Sequence, residues 1–161
     1  MIYKTSLGNW TKAITLAVTM LFAFIIIQQY SLITDQGTPN PIYTTVLLLT
    51  IYFIAFAFRP VYYKMSNDSL IIHRLIKDVI IERKSIKSIE LIDRADIGWA
   101  VRTFGVGGLF GYYGNFVNAK MGRMTWYATR RDRTVLVITN NDKKIVLTPD
   151  DPQKLIADFY K

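Results

Sequence analysis

Residues 13–34, AITLAVTMLFAFIIIQQYSLIT, and residues 36–58, QGTPNPIYTTVLLLTIYFIAFAF, are adjacent stretches without a single Asp, Glu, Lys or Arg. Lys12 precedes the first, Asp35 separates the two, and Arg59 follows the second. A helix needs roughly 20 apolar residues to cross a hydrocarbon core of about 30 Å, and each stretch is that long. No third apolar run of that length follows Arg59. The expectation is a transmembrane helical hairpin in residues 1–59, with spans at about 13–33 and 41–58, carrying one small domain in residues 60–161.

Charge separates the two parts. The chain of 161 residues has a formal net charge of +8. From Arg59 onward there are 18 Lys and Arg against 11 Asp and Glu, so nearly all the excess lies on the domain. A basic domain beside an anionic leaflet is held there electrostatically. Basic and aromatic residues also interleave in single-strand nucleic-acid binders, but no RNP-type signature is present, and a membrane partner without nucleic acid is expected. The absence of cysteine excludes disulfides, thiolate metal sites and cysteine nucleophiles.

The segment TDQGTPNP, residues 34–41, is rich in turn formers and should end one helix and begin the next. The first span is not expected to be a cleaved signal peptide, because QQYSLITDQ offers no A-x-A-like site and a second span follows at once. Lys4 and Lys12 precede the spans, Arg59 and Lys64 follow them, and the connection carries no Lys or Arg. The positive-inside rule then puts both termini in the cytoplasm and the chain in the cell (inner) membrane as a multi-pass protein. Trp10, Tyr62 and Tyr63 suit the inner interface, and Tyr30 and Tyr43 the outer one.

After Arg59 the pattern is β. Val61–Ser66 and Leu70–Arg74 flank the turn Asn67-Asp68, and Val79–Glu82 follows Lys77-Asp78. Further strands are expected around Ile86–Leu91 and at Asn115–Ala119, Met124–Thr129, Thr134–Thr139 and Lys144–Thr148. Asp150-Asp151-Pro152 then starts a helix, with Leu155, Ile156 and Phe159 on one face. Seven or eight short strands and a terminal helix give an α+β domain, a small barrel or split sandwich capped by that helix.

The run RTFGVGGLFGYYGNFVNAKMGRMTWYATRRDRTVLVIT (residues 102–139), followed by KKIVLTPDDPQKLI (residues 143–156), resembles the bacterial PH-domain family. R-x-F-G-x-G-G-x-F-G-Y, Y-A-T and T-P-D-D-P carry the resemblance, which covers about Val61 to Tyr160. It implies a PH-like fold, no enzyme activity, and an N-terminal pair of transmembrane helices of the kind read above from the residues. Lipid-binding PH domains place bases around the first hairpin turn. Here that turn is Ser66-Asn67-Asp68-Ser69, with Lys64 and Arg74 flanking it at a distance, so high-affinity phosphoinositide binding is not expected.

Seven of the nine glycines lie between Gly98 and Gly122. Gly105, Gly107, Gly108 and Gly111, with Tyr112, lack the G-K-[ST] of a phosphate loop. They read as a long strand-connecting loop that could serve as a binding surface. Arg130, Arg131 and Arg133 fall on an expected hairpin turn with Arg102, Lys120 and Arg123 near in sequence. Together they are candidates for lipid phosphates or an acidic partner, or are a solvated turn. The single His73 has no second histidine or cysteine with which to build a metal site, and no nucleophile motif occurs. No catalytic residue, metal or cofactor is expected. The sequence points to a cytoplasm-facing, non-catalytic binding or scaffolding module that engages a protein partner or the anionic membrane surface. The alternative is a regulatory or accessory subunit of a membrane enzyme or transporter.

Overall fold

A computed structural model describes residues 1–36 and 40–161, and their side chains except those of residues 31–36, 40 and 94. The turn expected in residues 34–41 lies partly outside the described residues. Two helices, α1 (Asn9–Gln36) and α2 (Asn40–Ala57), pack against each other near the start of the chain. They are apolar around their circumference, with Leu16, Met20, Phe24 and Ile27 of α1 and Val46, Leu47 and Phe53 of α2 all exposed. The Thr19 and Tyr52 hydroxyls, 2.7 Å apart, join them.

The remainder is an α+β unit of two sheets. The first has the order β1 (Ile2–Lys4), β2 (Pro60–Met65), β3 (Ser69–Arg74), β4 (Val79–Glu82), all antiparallel. The second sheet uses β5 (Ile86–Ile92), β6 (Val101–Gly107), β7 (Tyr112–Asn118), β8 (Gly122–Ala128), β9 (Thr134–Thr139) and β10 (Lys144–Leu147). Its order is β5-β9-β10-β8-β7-β6. Only the β8–β10 pair is parallel, because β10 inserts between β8 and β9. A short helix, α3 (Arg94–Ile97), precedes β6, and α4 (Pro152–Phe159) ends the chain.

Alternation along the strands builds two cores. Tyr63, Leu70 and Ile72 of the first sheet meet Ile89, Val135, Val137, Ile145 and Leu147 of the second. Leu136 and Val146 point the other way. They join Trp126, Phe116, Met124 and Tyr112 in a cluster on the outer face of the second sheet, under Ile97. Strands β9 and β10 are therefore buried on both faces and read as continuous apolar runs.

Helix α4 packs on β5 and β2, one strand from each sheet. Asp151 caps it, its side chain accepting the Lys154 N–H at 3.1 Å, with Pro152 in the first turn. Of the expected stripe only Leu155 is fully buried. Phe159 is half-buried beneath the Arg83 guanidinium, 5.2 Å from its ring centre.

Three elements depart from the expected pattern. Strand β6 and helix α3 occupy residues expected to loop. Strand β1 lies in the part assigned to the hairpin unit, yet it pairs with β2 in the register Tyr3↔Tyr63. Tyr3 is 4% exposed, sits within the inter-sheet core, and its hydroxyl donates to Asp158 of α4. The unit is thus closed by residues from both sides of the helix pair. Tyr63, expected at the membrane interface, is wholly buried. Its hydroxyl donates to Tyr127 O at 2.6 Å and accepts the Thr148 N–H at 3.2 Å.

If β1 belongs to the core, Tyr3→Ala should cost about 3–5 kcal/mol, as removal of a large buried ring does. Tyr3→Phe, which keeps the ring and loses only the bond to Asp158, should cost less. Denaturant unfolding of the full chain in neutral detergent checks this. Equal stability of Tyr3→Ala and wild type would remove β1 from the core.

Candidate functional site

The candidate site lies where the helices meet the sheets, and it begins with the strand order. Because β10 sits between β8 and β9, the chain leaving β8 must arch over the end of β10 to reach β9. Residues 129–133 form that arch above Thr148–Asp150. They are not the tight hairpin turn expected from the sequence. The leading residues of the chain thread beneath the same arch. Asp150 N–H donates to Lys4 O at 2.9 Å and Gly8 N–H to Thr129 O at 3.2 Å.

A chain of threonines lines this passage. Thr5 Oγ1 donates to Thr148 O at 2.8 Å and lies 2.7 Å from Thr129 Oγ1. Thr11 Oγ1, in the first turn of α1, donates to Thr129 O at 2.8 Å. Thr148 Oγ1 accepts the Thr129 N–H at 3.0 Å. Thr11, Thr129 and Thr148 are each at most 1% exposed. Hydroxyls suit this seam because each can donate and accept in turn, so buried backbone groups are not left unpaired.

The glycine-rich run forms the second half of the seam. It is a hairpin of β6 and β7 closed by a tight turn at Gly108–Gly111, where a long loop was expected. Gly105 and Gly114 face each other across it. A Cβ on Gly105 would come within 2.2 Å of Tyr113 O, which demands glycine there. The turn enters the foot of the helix pair. Phe110 is 7% exposed and stands edge-on to Tyr52 and Phe56, at ring separations of 5.0 and 5.3 Å. Its N–H donates to Thr15 Oγ1 at 3.0 Å, and the Tyr113 hydroxyl donates to Ala55 O. Gly108 lies so close to Ile14 that a Cβ would be 2.8 Å from Ile14 Cδ1. The run acts as a wedge between helices and sheets; Tyr112 faces the other way, into the outer cluster.

The six basic candidates do not form one cluster. Arg123 near the start of β8 and Arg130 just past its end are about 20 Å apart at about 3.3 Å per residue. Lys120 donates to Ala95 O at 3.3 Å. Arg123 borders a groove with Asp142, Lys143 and Lys144. The Arg102 side chain lies along Gly107 of the same strand. Within the arch, Arg130 pairs with Asp132 at 2.6 Å and with Asp150 at 3.4 Å. Arg133 donates to Asp150 O at 2.9 Å. Arg131 makes no ion pair among the described residues, and its guanidinium rests 4.5 Å over the Tyr112 ring. Arg130 and Arg133 therefore help hold the arch together; the charge of Arg130 is paired, whereas exposed Arg133 binds only a backbone carbonyl and keeps its charge.

The first hairpin turn, at Asn67-Asp68, borders Glu82, Arg83 and Lys84. Arg83 is engaged with the Phe159 carbonyl. His73 stacks on Tyr62 and lies 2.8 Å from Asp78. Among the described residues no group of three His, Cys, Asp or Glu side chains is placed to hold a metal ion.

Two carboxylates of the arch link its stability to pH. A hydrogen bond from Arg130 holds the Asp132 carboxyl below its ordinary value. Burial alone would raise Asp150, but the Ser6 hydroxyl and N–H and the nearby Arg130 outweigh it and hold that carboxyl low as well. Carboxyls depressed in the folded state give their full stabilisation above the unfolded value, about 4. They lose it as pH falls through the lower folded value. Exchange protection of the Gly8 N–H should therefore drop below about pH 4, and Asp150→Asn should remove much of it at neutral pH. Protection that is unchanged by acid and by Asp150→Asn would show that the carboxylates do not hold the leading segment.

The Bacterial PH domain family matches residues 61–161. No curated protein and no solved structure matches the chain. Several of the residues quoted for the resemblance lie in the seam. Thr129 ends Y-A-T, Thr148 and Asp150 belong to T-P-D-D-P, and Phe110 is the second phenylalanine of the glycine-rich run. With the family matched over most of its length, two packed sheets and a closing terminal helix, the chain belongs to the bacterial PH-domain family.

Proposed function

We propose that the chain is a membrane-anchored, non-catalytic PH-like binding module whose sheets lie at the cytoplasmic surface of the cell membrane. The observation that carries this reading is topological. Residues before α1 and after α2 are neighbours in one sheet, so a chain that leaves the domain along α1 must return to the same side. Residues Asn9–Tyr30 are long and apolar enough to cross a membrane, and almost none of that length is buried in protein. If α1 crosses, α2 must cross back. The apolar segment Pro41–Ala57 is shorter. At 1.5 Å per residue its 17 residues give about 26 Å, within what local thinning of the bilayer accommodates.

Orientation rests on Lys12 and Arg59 at the domain end of the helices and on the connection without Lys or Arg. The exposed apolar flanks of α1 and α2 are what lipid would cover. Because the seam binds the domain to the foot of the helices, the module has little freedom to swing away from the surface. A second reading, an accessory subunit of a membrane enzyme or transporter, is favoured by edge strand β6. Val101 and Phe104 there, with Trp99 before it, are 54–82% exposed.

Full-length protein should remain in the pellet after alkaline carbonate washing of membranes. A reporter active only in the cytoplasm should be active when fused after Lys161. Release into the wash, or activity of an export-dependent reporter at the same site, would overturn the reading.

A further inference from the structure

The outer face of the second sheet carries a cavity of about 420 Å³ that the seam does not use. Ala95, Ile97, Trp99 and Ala100 form one wall, from α3 and the segment leading to β6, and Trp126 and Arg131 form the other. The volume is in the range that encloses small organic ligands. The lining is apolar apart from one cation, and no lining residue is acidic.

Trp126 and Arg131, which line the cavity, each hold one buried donor without a partner among the described residues, Trp126 Nε1 and Arg131 Nε. Trp126 is 5% exposed, fixed by Phe116 at 4.8 Å and Tyr112 at 6.4 Å between ring centres. Arg131 is fixed over the same Tyr112 ring. Its neighbour Arg130 takes the carboxylate of Asp132, so none in the arch neutralises Arg131. A buried donor without an acceptor is costly, and nearly all such groups in folded proteins find one. Two of them in side chains of one cavity wall, one on a cation, call for an oxygen acceptor with negative charge. The apolar walls and the exposed Trp99 at the rim call for a hydrocarbon or ring attached to it. Arg131 also borders a second, polar cleft lined by Trp10 and Lys12 at the foot of α1, so the cation lies toward the helix end of the domain.

We infer that this cavity binds an amphiphilic oxyanion, a phosphate monoester or carboxylate on an apolar stem. Small side-chain shifts of the kind common on binding open Arg131 Nε and Trp126 Nε1 to the anionic oxygens, which accept from them, and the stem lies against Trp99 and Ile97. This deepens the reading of the chain as a binding module by naming the class of ligand, but it does not depend on the anchor. A lipid of the surrounding bilayer and a free cytoplasmic amphiphile offer the same chemistry.

The test uses the ¹⁵N-labelled full chain in phosphatidylcholine nanodiscs, or without them if the chain proves soluble. Only three tryptophans contribute indole signals, and Trp126→Phe assigns the one that matters. Octyl phosphate should shift the Trp126 indole signal saturably, with octanol and inorganic phosphate far weaker. Arg131→Gln should weaken octyl phosphate about tenfold or more, as loss of a charge-assisted hydrogen bond does. An unmoved Trp126 signal in the wild-type chain overturns the inference whether or not the variant folds. Equal binding of octanol removes the oxyanion, and equal binding of inorganic phosphate removes the apolar stem; either also overturns it. Nanodiscs containing phosphatidylglycerol separate the sources. A signal already shifted there, with no further response to octyl phosphate, assigns the site to a bilayer lipid. An unshifted signal that still responds assigns it to a free amphiphile. A negative titration leaves the carbonate and reporter results untouched.

Discussion

The antiparallel pairing of Ile2–Lys4 with β2 constrains everything around it. Three residues supply one buried side chain, Tyr3, and a few backbone hydrogen bonds, a small contribution by area. Its consequence is geometric. The chain must leave the domain and come back to within one strand spacing of where it left, so α1 and α2 form a closed excursion from one end of the two sheets. Whatever medium surrounds the helices, both of their domain ends stand at the same level.

The same closure explains why the junction is so densely hydrogen-bonded. Two helices entering a sheet end together bring backbone groups that no strand can pair. The threonines at positions 5, 11, 129 and 148 satisfy many of them. Phe110 fills the apolar space between the helix feet, and glycines let its hairpin approach closely enough to do so. Asp150, held low by Ser6 and Arg130, ties the leading segment to the arch. These groups form one cooperative seam, and rigidity there keeps the outer face of the second sheet, with its cavity, in a fixed position relative to the helices.

Much of this was legible in the sequence and some was not, for physical reasons. Strands β2 to β5 and β8 to β10 alternate or are β-branched, and turn residues bound them, so local chemistry is enough to find them. The cap Asp151 with Pro152 marks α4 in the same way. Strand β1 is too short to show a period, and its partner is over fifty residues away across two helices; nothing local signals it. The glycines of β6 and β7 imitate a loop, because cross-strand glycines make close approach without the side-chain pattern of a strand. Parallel insertion of β10 turned an expected hairpin turn into an arch, which made Arg130 an internal tie, paired with Asp132 and Asp150, and anchored exposed Arg133 through one carbonyl. The cavity beside Trp126 and Arg131 joins residues thirty positions apart in the chain, and only the packing of α3 over the sheet reveals it.

The closure at β1 can be read directly. Backbone pairing at Met1 and Met65 leaves Ile2 and Lys64 as the narrow, non-hydrogen-bonded pair, where Cα atoms stand about 4.5 Å apart, within the reach of a disulfide. Both residues are exposed, and the chain has no native cysteine. Full-length protein carrying Ile2→Cys and Lys64→Cys, oxidised mildly in isolated membranes, should form an intramolecular disulfide nearly completely, while Ile2→Cys with Lys143→Cys should not. Two thiols at positions 2 and 64 that react freely with maleimide yet never join would contradict the account.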